Sequence, residues 1–446
     1  MARIAIVGTG ISGLGSAFLL GPHHDITVYE KASRPGGHSR TVTVDYDGTA
    51  VPVDTGFIVF NRPNYPNLTG LFDLLGVQTH ASDMTFAASI KDGWLEWGAQ
   101  NLNAVIGQRR NLLRPRFVRL VRDVLRFNAE AQNMPERLPH LTLDGLIARL
   151  GLGDWFRNYY LLPMAGAIWS CPPRQMLSFP ARALIRFFAN HHLLSLTGQP
   201  QWRTVTGGSR EYVRRLTQPF ADRVRLNCGA VEVTRANGKV QVRDSQGGRE
   251  IYDQLVLACH GDEALALLGD ASDAERAALS CFRYQKNVAV LHRDTSVMPR
   301  RRRCWASWVY TSDGAPEPAI SVTYWMNRLQ GIDERRPLFV SLNPRRPIPA
   351  ALTFDSASFH HPVFDAAAIA AQGQIAALQG ARGTWHAGAH LGHGFHEDGL
   401  ASAVRVAAAL GADIPWARPA AHPDAAQQKV RTPRPVFPDP LPAELF

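Results

Sequence analysis

The sequence predicts an α/β fold with more than one domain, and three observations lead to that prediction. The chain has 446 residues, which exceeds the usual size of a single hydrophobic core. Near its start, a strand-like run at residues 3–7 leads into a glycine-rich turn and then into a helical pattern. Two further glycine-containing turns, near residues 207 and 388, also lie beside strand patterns. We therefore expect one parallel sheet drawn from separated segments.

The first glycine-rich turn has the order of elements of a dinucleotide-binding unit. A second apolar run, at residues 26–29, follows the helical pattern and ends on an acidic residue. In such a unit the first glycine permits a tight turn, the second lets the backbone approach a pyrophosphate, and the third lets the helix pack on the strand. The helix N-terminus binds phosphate, and the acid binds a ribose. The predicted contacts are Gly8, Gly10, Ile11, Ser12, Gly13 and Glu30.

The residues that follow this unit point to the identity of the dinucleotide. Residues 30–37, with an acid, an arginine and a glycine pair, resemble the signature of the flavin-containing amine oxidase superfamily. That superfamily includes monoamine oxidases, phytoene desaturases and protoporphyrinogen oxidases. Its arginine and glycine pair hold the FAD diphosphate, and a following segment lies close to the isoalloxazine ring. The resemblance implies contacts to FAD from Arg34, Gly36, Gly37, Thr55, Gly56 and Phe57.

The resemblance also implies the domain organisation. It predicts an α/β flavoprotein of the two-dinucleotide-binding-domain type, with a Rossmann-type FAD-binding domain and a discontinuous α+β substrate domain. The FAD-binding domain would comprise residues 1–61, 203–270 and 381–412, and the substrate domain residues 62–202 and 271–380. Residues 413–446 are rich in proline and alanine, which predicts a mobile or surface-wrapping tail. No cysteine follows Cys304, so noncovalent FAD is expected.

Two later segments carry further expected cofactor contacts. By the resemblance, the strand around Val231 supplies the residue that touches adenine, although an ordinary core valine would fit the pattern equally well. Gly388 matches a glycine that precedes an acid in the superfamily, but here Ala389 stands in the place of that acid. A helix predicted from about residue 400 would direct the amides near Gly399 and Leu400 towards the flavin.

Three side chains are candidates for catalysis. His390 and Glu397 lie in the loop expected nearest the flavin ring, and an imidazole or carboxylate there would serve as a base. Loop histidines bonded to backbone or cofactor are an equally good interpretation. Lys286 loosely resembles the lysine that holds a water near the flavin in amine oxidases. Glycines interrupt the histidine run at residues 390–396, so we expect no metal site.

Composition and charge set limits on location and partners. No uncharged apolar run is long enough to span a bilayer, and the five cysteines are scattered, which predicts a cytoplasmic protein with reduced thiols. The formal net charge is +10, and only five of the 48 basic residues are lysines. Arginine suits phosphate recognition, but no nucleic-acid-binding module accompanies these arginines. We therefore expect no nucleic-acid partner, and the sequence leaves the oligomeric state open.

Residues 115–131 form an amphipathic pattern that suggests contact with a membrane. At about 100° per residue, apolar side chains share one face, and the opposite face carries Arg116, Arg119, Arg122 and Arg126. Together with the arginine run at 300–303 beside Trp305 and Trp308, this pattern predicts docking on an anionic membrane surface, on the inner face of the cytoplasmic membrane. The alternative is an ordinary surface helix packed on its own domain.

Up to about residue 412 the sequence also resembles a narrower bacterial group of predicted NAD/FAD-binding proteins that are often encoded beside cyclopropane-fatty-acyl-phospholipid synthases. The resemblance rests on residues 54–59, 201–209, 324–327 and 394–399. It implies an FAD-dependent oxidoreductase that desaturates a methyl-branched or cyclopropane fatty acyl chain of a membrane lipid by hydride transfer to flavin N5. The alternatives are a soluble oxidase of an amine or another small molecule, and a flavin-binding accessory subunit of a lipid methyltransferase.

Overall fold

A five-stranded parallel sheet forms the centre of the first layer. The computed structural model describes residues 1–133, 138, 140–169, 176–190, 193–195, 198–315 and 321–417. The sheet takes its strands from three separated parts of the chain, in the order Val224–Arg225, Asp25–Tyr29, Arg3–Val7, Gln254–Leu257 and Thr384–His386. Each of the segments assigned to the FAD-binding domain supplies at least one strand, and the exact boundaries stay predictions.

Helices cover both faces of this sheet, and most of their buried side chains are small or apolar. They span Ile11–Leu20, Pro66–Leu74, Arg210–Thr217, Gly261–Leu267, Asp273–Leu279, Ala366–Leu378 and His396–Ala409. Smaller antiparallel sheets flank them. One sheet pairs Thr41–Tyr46 with Thr49–Asp54. The other two have the strand orders Ala230–Ala236, Lys239–Asp244, Arg249–Tyr252 and Val59–Asn61, Trp202–Val205, Thr79–Ala81. The described start of the predicted tail packs on the body of the protein, since Trp416 donates to Asn67 at 3.1 Å. Residues 418–446 lie outside the described residues.

A seven-stranded mixed sheet forms the second layer. Its order is Thr353–Val363, Arg283–His292, Phe339–Leu342, Ser321–Trp325, Trp308–Ser312, Phe86–Ile90 and Leu95–Gly98. Val322 and Tyr310 on one face pack against an apolar cluster formed with the helices. The helices of this part of the chain span Leu102–Val105, Pro115–Glu130, Leu143–Arg149, Asp154–Phe156, Arg157–Leu161 (a π-helix), Leu162–Trp169, Ala181–Asn190 and Met326–Gln330.

The Pro115–Glu130 helix differs from the predicted interfacial helix. Phe117, Leu120 and Phe127 are buried in the protein's own core, so most of the apolar face is not available to a bilayer. Leu125, expected on that face, is instead half-exposed. The opposite face does carry the four predicted arginines at the surface. Among the described helices, none is both long and apolar enough to cross a membrane.

The arginine run at residues 300–303 is less available than the sequence suggested. Arg301 forms an ion pair at 2.7 Å with the fully buried carboxylate of Glu96. The guanidinium of Arg302 lies 3.8 Å from the centre of the Trp305 ring, which packs on Trp325. Two of the four arginines and the neighbouring tryptophan therefore stabilise the fold. Docking of this run on lipid stays a prediction, and Arg302 keeps an exposed side chain.

Candidate functional site

The candidate site lies at the carboxyl edge of the parallel sheet. Because the strands all run in the same direction, the turns that follow Val7, Tyr29, Leu257 and His386 come together at that edge. Open α/β sheets bind their ligands at this edge. The three glycine-rich segments, which are far apart in the sequence, meet here.

The first glycine turn is closed on one side and open on the other. Gly8 has a φ of 102°, and a Cβ there would lie 2.8 Å from the carbonyl oxygen of Ala258. A Cβ on Gly13 would overlap the carbonyl oxygen of Gly8. At Gly10, by contrast, no atom of the described residues would lie within 4 Å of a Cβ. This shape fits a diphosphate that lies beside Gly10, at the N-terminus of the Ile11–Leu20 helix.

The second glycine turn lies against the first. Gly36 donates its N–H to the carbonyl of Thr9 at 2.9 Å, and a Cβ on Gly37 would lie 3.1 Å from the Cα of Gly10. The exposed guanidinium of Arg34 donates to the carbonyl of Gly37 at 3.2 Å. Two turns and one cation are thus gathered in one place. This arrangement is the one that the predicted diphosphate contacts require.

Glu30 is held beside the first turn by three hydrogen bonds. Its carboxylate accepts from the backbone N–H of Thr9 at 3.0 Å, from the Thr9 hydroxyl, and from the N–H of Ala32 at 2.8 Å. These bonds place the acid at the end of the Asp25–Tyr29 strand, next to the glycine turn. The predicted contact of Glu30 with a ribose is compatible with this position and stays a prediction.

The segment at residues 55–57 packs closely on the chain around His38. A Cβ on Gly56 would overlap the carbonyl oxygen of His38, and Phe57 donates its N–H to the same oxygen at 2.9 Å. The Nε2 atom of His38 is buried and has no hydrogen-bond partner among the described residues. Burial and neighbouring histidines hold the pKa of His38 well below its usual range, so the ring is neutral. An unpaired polar atom beside the glycine turns fits a bound cofactor that supplies its partner.

The His396–Ala409 helix begins earlier than predicted, and this changes the role of Gly399. The N–H of Gly399 donates to the carbonyl of Phe395 at 3.1 Å, so it is not free to face a flavin. Leu400 lies within the helix and is fully buried. The predicted flavin-facing amides at these two residues are therefore wrong, because the free amides of a helix belong to its first turn. Gly399 instead allows close packing, since a Cβ there would lie 2.8 Å from Ile11 and 3.0 Å from Ser12.

A buried network around His396 was not predicted from the sequence. The Nε2 atom of His396 lies 2.9 Å from the Ser39 hydroxyl and 2.8 Å from the Tyr212 hydroxyl, and the two hydroxyls also bond each other. The His396 ring stacks on Phe57, with ring centres 3.9 Å apart. Burial lowers the pKa of His396 to about 3, so the imidazole is neutral at pH 7. The residues come from three distant segments, and no sequence pattern connects them.

Glu397, one of the predicted catalytic residues, caps another helix. Its carboxylate accepts from the backbone N–H groups of Asn67 and Leu68, each at 2.9 Å, and from the Asn67 side chain at 2.7 Å. These amides belong to the first turn of the Pro66–Leu74 helix, whose N-terminus favours a negative charge. Both carboxylate oxygens are occupied in this way. The structure therefore corrects the catalytic interpretation of Glu397 to a structural one.

The other two catalytic candidates are in contrasting environments. His390 is buried with its ring edge-on to Phe282, at 4.7 Å between ring centres, and burial lowers its pKa to about 3. A neutral imidazole with so low a pKa is a weak proton acceptor. Lys286 is exposed on the Arg283–His292 strand, in register with His360. Both roles stay predictions. Within the described ranges, no group of three or more His, Cys, Asp or Glu side chains is arranged to hold a metal ion.

The second and third segments approach the first as the site requires. Val231 is partly exposed at the start of its strand, and a Cβ on neighbouring Gly229 would lie 2.9 Å from the side chain of Lys31. The strand that carries Val231 thus begins next to the residue after Glu30, and its contact with adenine stays a prediction. Gly388 follows the Thr384–His386 strand and donates its N–H to the Ser402 hydroxyl at 2.8 Å.

A buried carboxylate joins the turn at residues 207–209 to the first segment. Asp54 accepts from the Thr41 hydroxyl at 2.6 Å, from the Ser209 N–H at 2.9 Å and from the Ser209 hydroxyl at 2.8 Å. Gln330 also donates to it, at 3.1 Å. Burial raises the pKa of Asp54 to about 6, although its hydrogen-bond donors oppose that shift. Asp54 thereby positions the following segment, residues 55–57, against the turn.

Comparison with known proteins places this site within one family. A family profile described as flavin containing amine oxidoreductase matches residues 11–295, which is more than half of the chain. A hydroxyneurosporene desaturase from Rubrivivax gelatinosus is 48% identical over 59 residues, and this match spans 13% of the present chain and only 10% of that protein.

Solved structures show the same fold over almost the whole chain. A CLA-producing fatty acid isomerase from P. acnes superimposes with a TM-score of 0.65 at 17% identity, covering 91% of this chain and 98% of that one. A cofactor-binding variant of putrescine oxidase also gives a TM-score of 0.65, at 15% identity, with 92% and 98% of the two chains covered. At these identities the likeness shows a shared architecture only.

Proposed function

Because the chain belongs to the flavin-containing amine oxidoreductase family and is an FAD-dependent oxidoreductase, we propose that it desaturates a fatty acyl chain of a membrane lipid. The expected substrate carries a methyl branch or a cyclopropane ring. When bound, FAD supplies the two-electron acceptor for such a reaction. The chain's own residues hold the cofactor and orient the acyl chain. Arg34, Gly36, Gly37 and the turn at residues 8–13 would hold the diphosphate.

The observation that carries this proposal is the aromatic continuity between the candidate flavin site and the apolar core of the helical part. Phe57 stacks on His396. Phe395, which precedes His396 in the chain, stacks on Phe187 with ring centres 5.0 Å apart. Phe187 belongs to the apolar cluster between the seven-stranded sheet and the helices. An acyl chain entering from the helical side would meet apolar surface as far as the His396 ring, which stacks on Phe57.

The charges near Phe57 favour an apolar substrate over an amine. Burial keeps His396 and His38 neutral at pH 7. Three nearby acids, Asp54, Glu397 and Asp398, each accept hydrogen bonds from backbone amides of the protein. Each of these acids therefore already has a partner in the protein's own backbone. A cationic amine would find little to replace its hydration at these side chains.

An exposed apolar patch beside the helical part supports access from a membrane. The leucine patch is formed by Leu112, Leu113 and Val118. It projects from the Arg109–Leu113 3₁₀ helix and from the first turn of the Pro115–Glu130 helix. Exposed Arg109, Arg110 and Arg116 adjoin it in the chain. Apolar side chains within a basic rim suit insertion into the surface of an anionic bilayer. We propose that this patch, and not the buried face of the helix, contacts the membrane.

Turnover with defined lipids would test the proposed function. Purified FAD-loaded protein would be mixed without oxygen with vesicles of cyclopropane, methyl-branched or straight-chain phospholipid, and in parallel with a panel of amines. We expect the oxidised-flavin absorbance to bleach with a modified phospholipid, and mass spectrometry to show loss of two hydrogens from its acyl chain. Bleaching of the flavin by an amine, and by none of the phospholipids, would favour the soluble oxidase. Activity that appears only with an added lipid methyltransferase would favour the accessory subunit.

A further inference from the structure

A polar cavity lies on the other face of the seven-stranded sheet, opposite the helices. Its volume is about 470 Å³, which is within the usual range for small-molecule sites. Val322 faces the helical cluster, and its strand neighbours Ser321 and Thr323 line the cavity. Because successive side chains of a strand point to opposite faces, the cavity is separated from the candidate flavin site by the sheet itself.

Five hydroxyl groups from four neighbouring strands line the floor of this cavity. The strand register aligns Ser89, Thr311 and Ser321 in one row, and it pairs Thr323 with Ser341 in the next. Ala87 and Val309 continue the second row, and together with Trp325 and Phe339 on the same face they belong to a small apolar core. The five hydroxyls lie side by side where these strands border the cavity.

Some of these hydroxyls are available to a ligand. Thr323 and Ser341 bond each other at 2.7 Å, and Ser341 also bonds the buried His292 at 2.8 Å. Within the part of the chain that the structure describes, the hydroxyls of Thr311 and Ser321 make no hydrogen bond. A polar cavity floor with unsatisfied hydroxyls is suited to a polar ligand.

Two loops place three arginines around the cavity. Arg345 forms an ion pair with Asp92 at 3.0 Å, and Arg346 donates to the Ser296 hydroxyl at 2.7 Å. The guanidinium of Arg300 makes no hydrogen bond or ion pair with any described residue. Three positive charges and one negative charge thus line the cavity. Two further carboxylates lie behind the lining. Glu96 pairs with Arg301, and Asp294 accepts from the N–H and hydroxyl of Ser296 within electrostatic reach of Arg346.

We propose that this cavity binds the phosphate monoester of a small polar molecule. Guanidinium groups bind phosphate oxygens through paired, charge-assisted hydrogen bonds, and serine and threonine hydroxyls add neutral donors. The lining side chains carry a net positive charge, which suits an anionic phosphate group. A volume of about 470 Å³ leaves room for an attached polyol that bonds the hydroxyl floor. The site is independent of the proposed desaturation, because it uses other residues on the other face of the sheet.

Calorimetry on the FAD-loaded protein would test this site, since bound FAD keeps the diphosphate cradle filled. Inorganic phosphate and glycerol 3-phosphate are the probes, titrated in a low-salt chloride buffer. We expect saturable binding of one ligand per chain, tighter for the ester. Arg300→Gln combined with Arg346→Gln should weaken binding by at least about tenfold, and Thr311→Val combined with Ser321→Ala should weaken it by roughly fivefold. The flavin absorbance should be unchanged in both variants.

Arg243→Gln provides the matched control, because it removes an arginine that pairs with Glu232 on a distant three-stranded sheet. It should bind both probes like the parent. The proposal is overturned if neither probe binds, or if the double-arginine variant binds as tightly as the control. Binding to phosphatidic acid vesicles without binding of glycerol 3-phosphate would also overturn it, since the ligand would then be a lipid headgroup at a surface.

Discussion

Replacing the leucine patch should release the protein from membranes without changing its fold. Leu112 and Leu113 are 51% and 87% exposed. Inserting both side chains into the bilayer surface would therefore bury the equivalent of more than one whole leucine side chain. Full burial of one leucine contributes about 2 kcal/mol, which gives about 3 kcal/mol for the pair. Leu112→Ser with Leu113→Ser should therefore weaken binding to anionic vesicles roughly a hundredfold, as measured by sedimentation at low salt. Flavin content should be unaffected.

Leu74→Ser is the matched control, because Leu74 is 50% exposed on a helix of the other layer, outside the leucine patch. It should sediment like the parent. Binding of the parent should also weaken as salt rises, since the contribution of Arg109, Arg110 and Arg116 is screened within a Debye length. If the double-serine variant sediments as well as the control, or if the parent fails to bind vesicles, the leucine patch is not the docking surface.

Three further changes test the site. Gly10→Val should abolish flavin retention, because its side chain would occupy the volume expected for the diphosphate. The midpoint temperature of unfolding should stay close to that of the apoprotein, since a Cβ at this position meets no described residue. An unchanged flavin content would mean that the diphosphate lies elsewhere. Asp54→Asn should lower the free energy of urea unfolding by about 1–3 kcal/mol, since an amide cannot accept from Thr41, Ser209 and Gln330 as the carboxylate does. Parental stability would show that these hydrogen bonds contribute little. The depressed pKa of His390 means that the unfolded chain binds its proton below about pH 6.5 while the folded chain does not, so stability is lost as pH falls from 6.5. The His390→Gln variant should therefore lose about 2 kcal/mol less of its free energy of unfolding between pH 7 and pH 5 than the parent, and it should keep its enzymatic activity. Loss of turnover, with the pH dependence of stability unchanged, would instead support a catalytic role for His390.

The sequence was most informative where the backbone itself is constrained. Gly8, Gly13 and Gly56 lie where a Cβ would meet a backbone carbonyl oxygen. Only glycine fits such positions, so the glycine pattern in the sequence indicates where two backbone segments come into contact. The prediction for Gly399 was that its amide faces the flavin, but that amide is bonded within the helix. The glycine accommodates Ile11 and Ser12, and the helix begins a turn earlier than the hydrophobic pattern suggested. Helix starts depend on caps such as Asp398, whose bond to the Phe395 N–H no periodicity shows.

Side-chain roles were less predictable than backbone roles. Glu397 and His390 were chosen as catalytic residues because they adjoin the expected flavin loop. The fold uses Glu397 to cap a helix that is more than 300 residues away in the chain, and it buries His390 against Phe282. Arg301 and Trp305 looked like a lipid-binding cluster in sequence, but Glu96 and Trp325 satisfy them from other strands. In each case the deciding partner lies far away in sequence.

The sequence by itself determined the α/β class and the dinucleotide-binding turn, because these follow from local periodicity and from glycine at positions where other residues clash. The other flavin-type segments were expected from the family resemblance. Only the tertiary structure decided which polar groups meet. Ser39, Tyr212 and His396 form a network, and hydroxyls of four strands line a cavity beneath three arginines. Such groupings depend on strand order and sheet register, which are set by long-range packing and leave no local pattern in the chain.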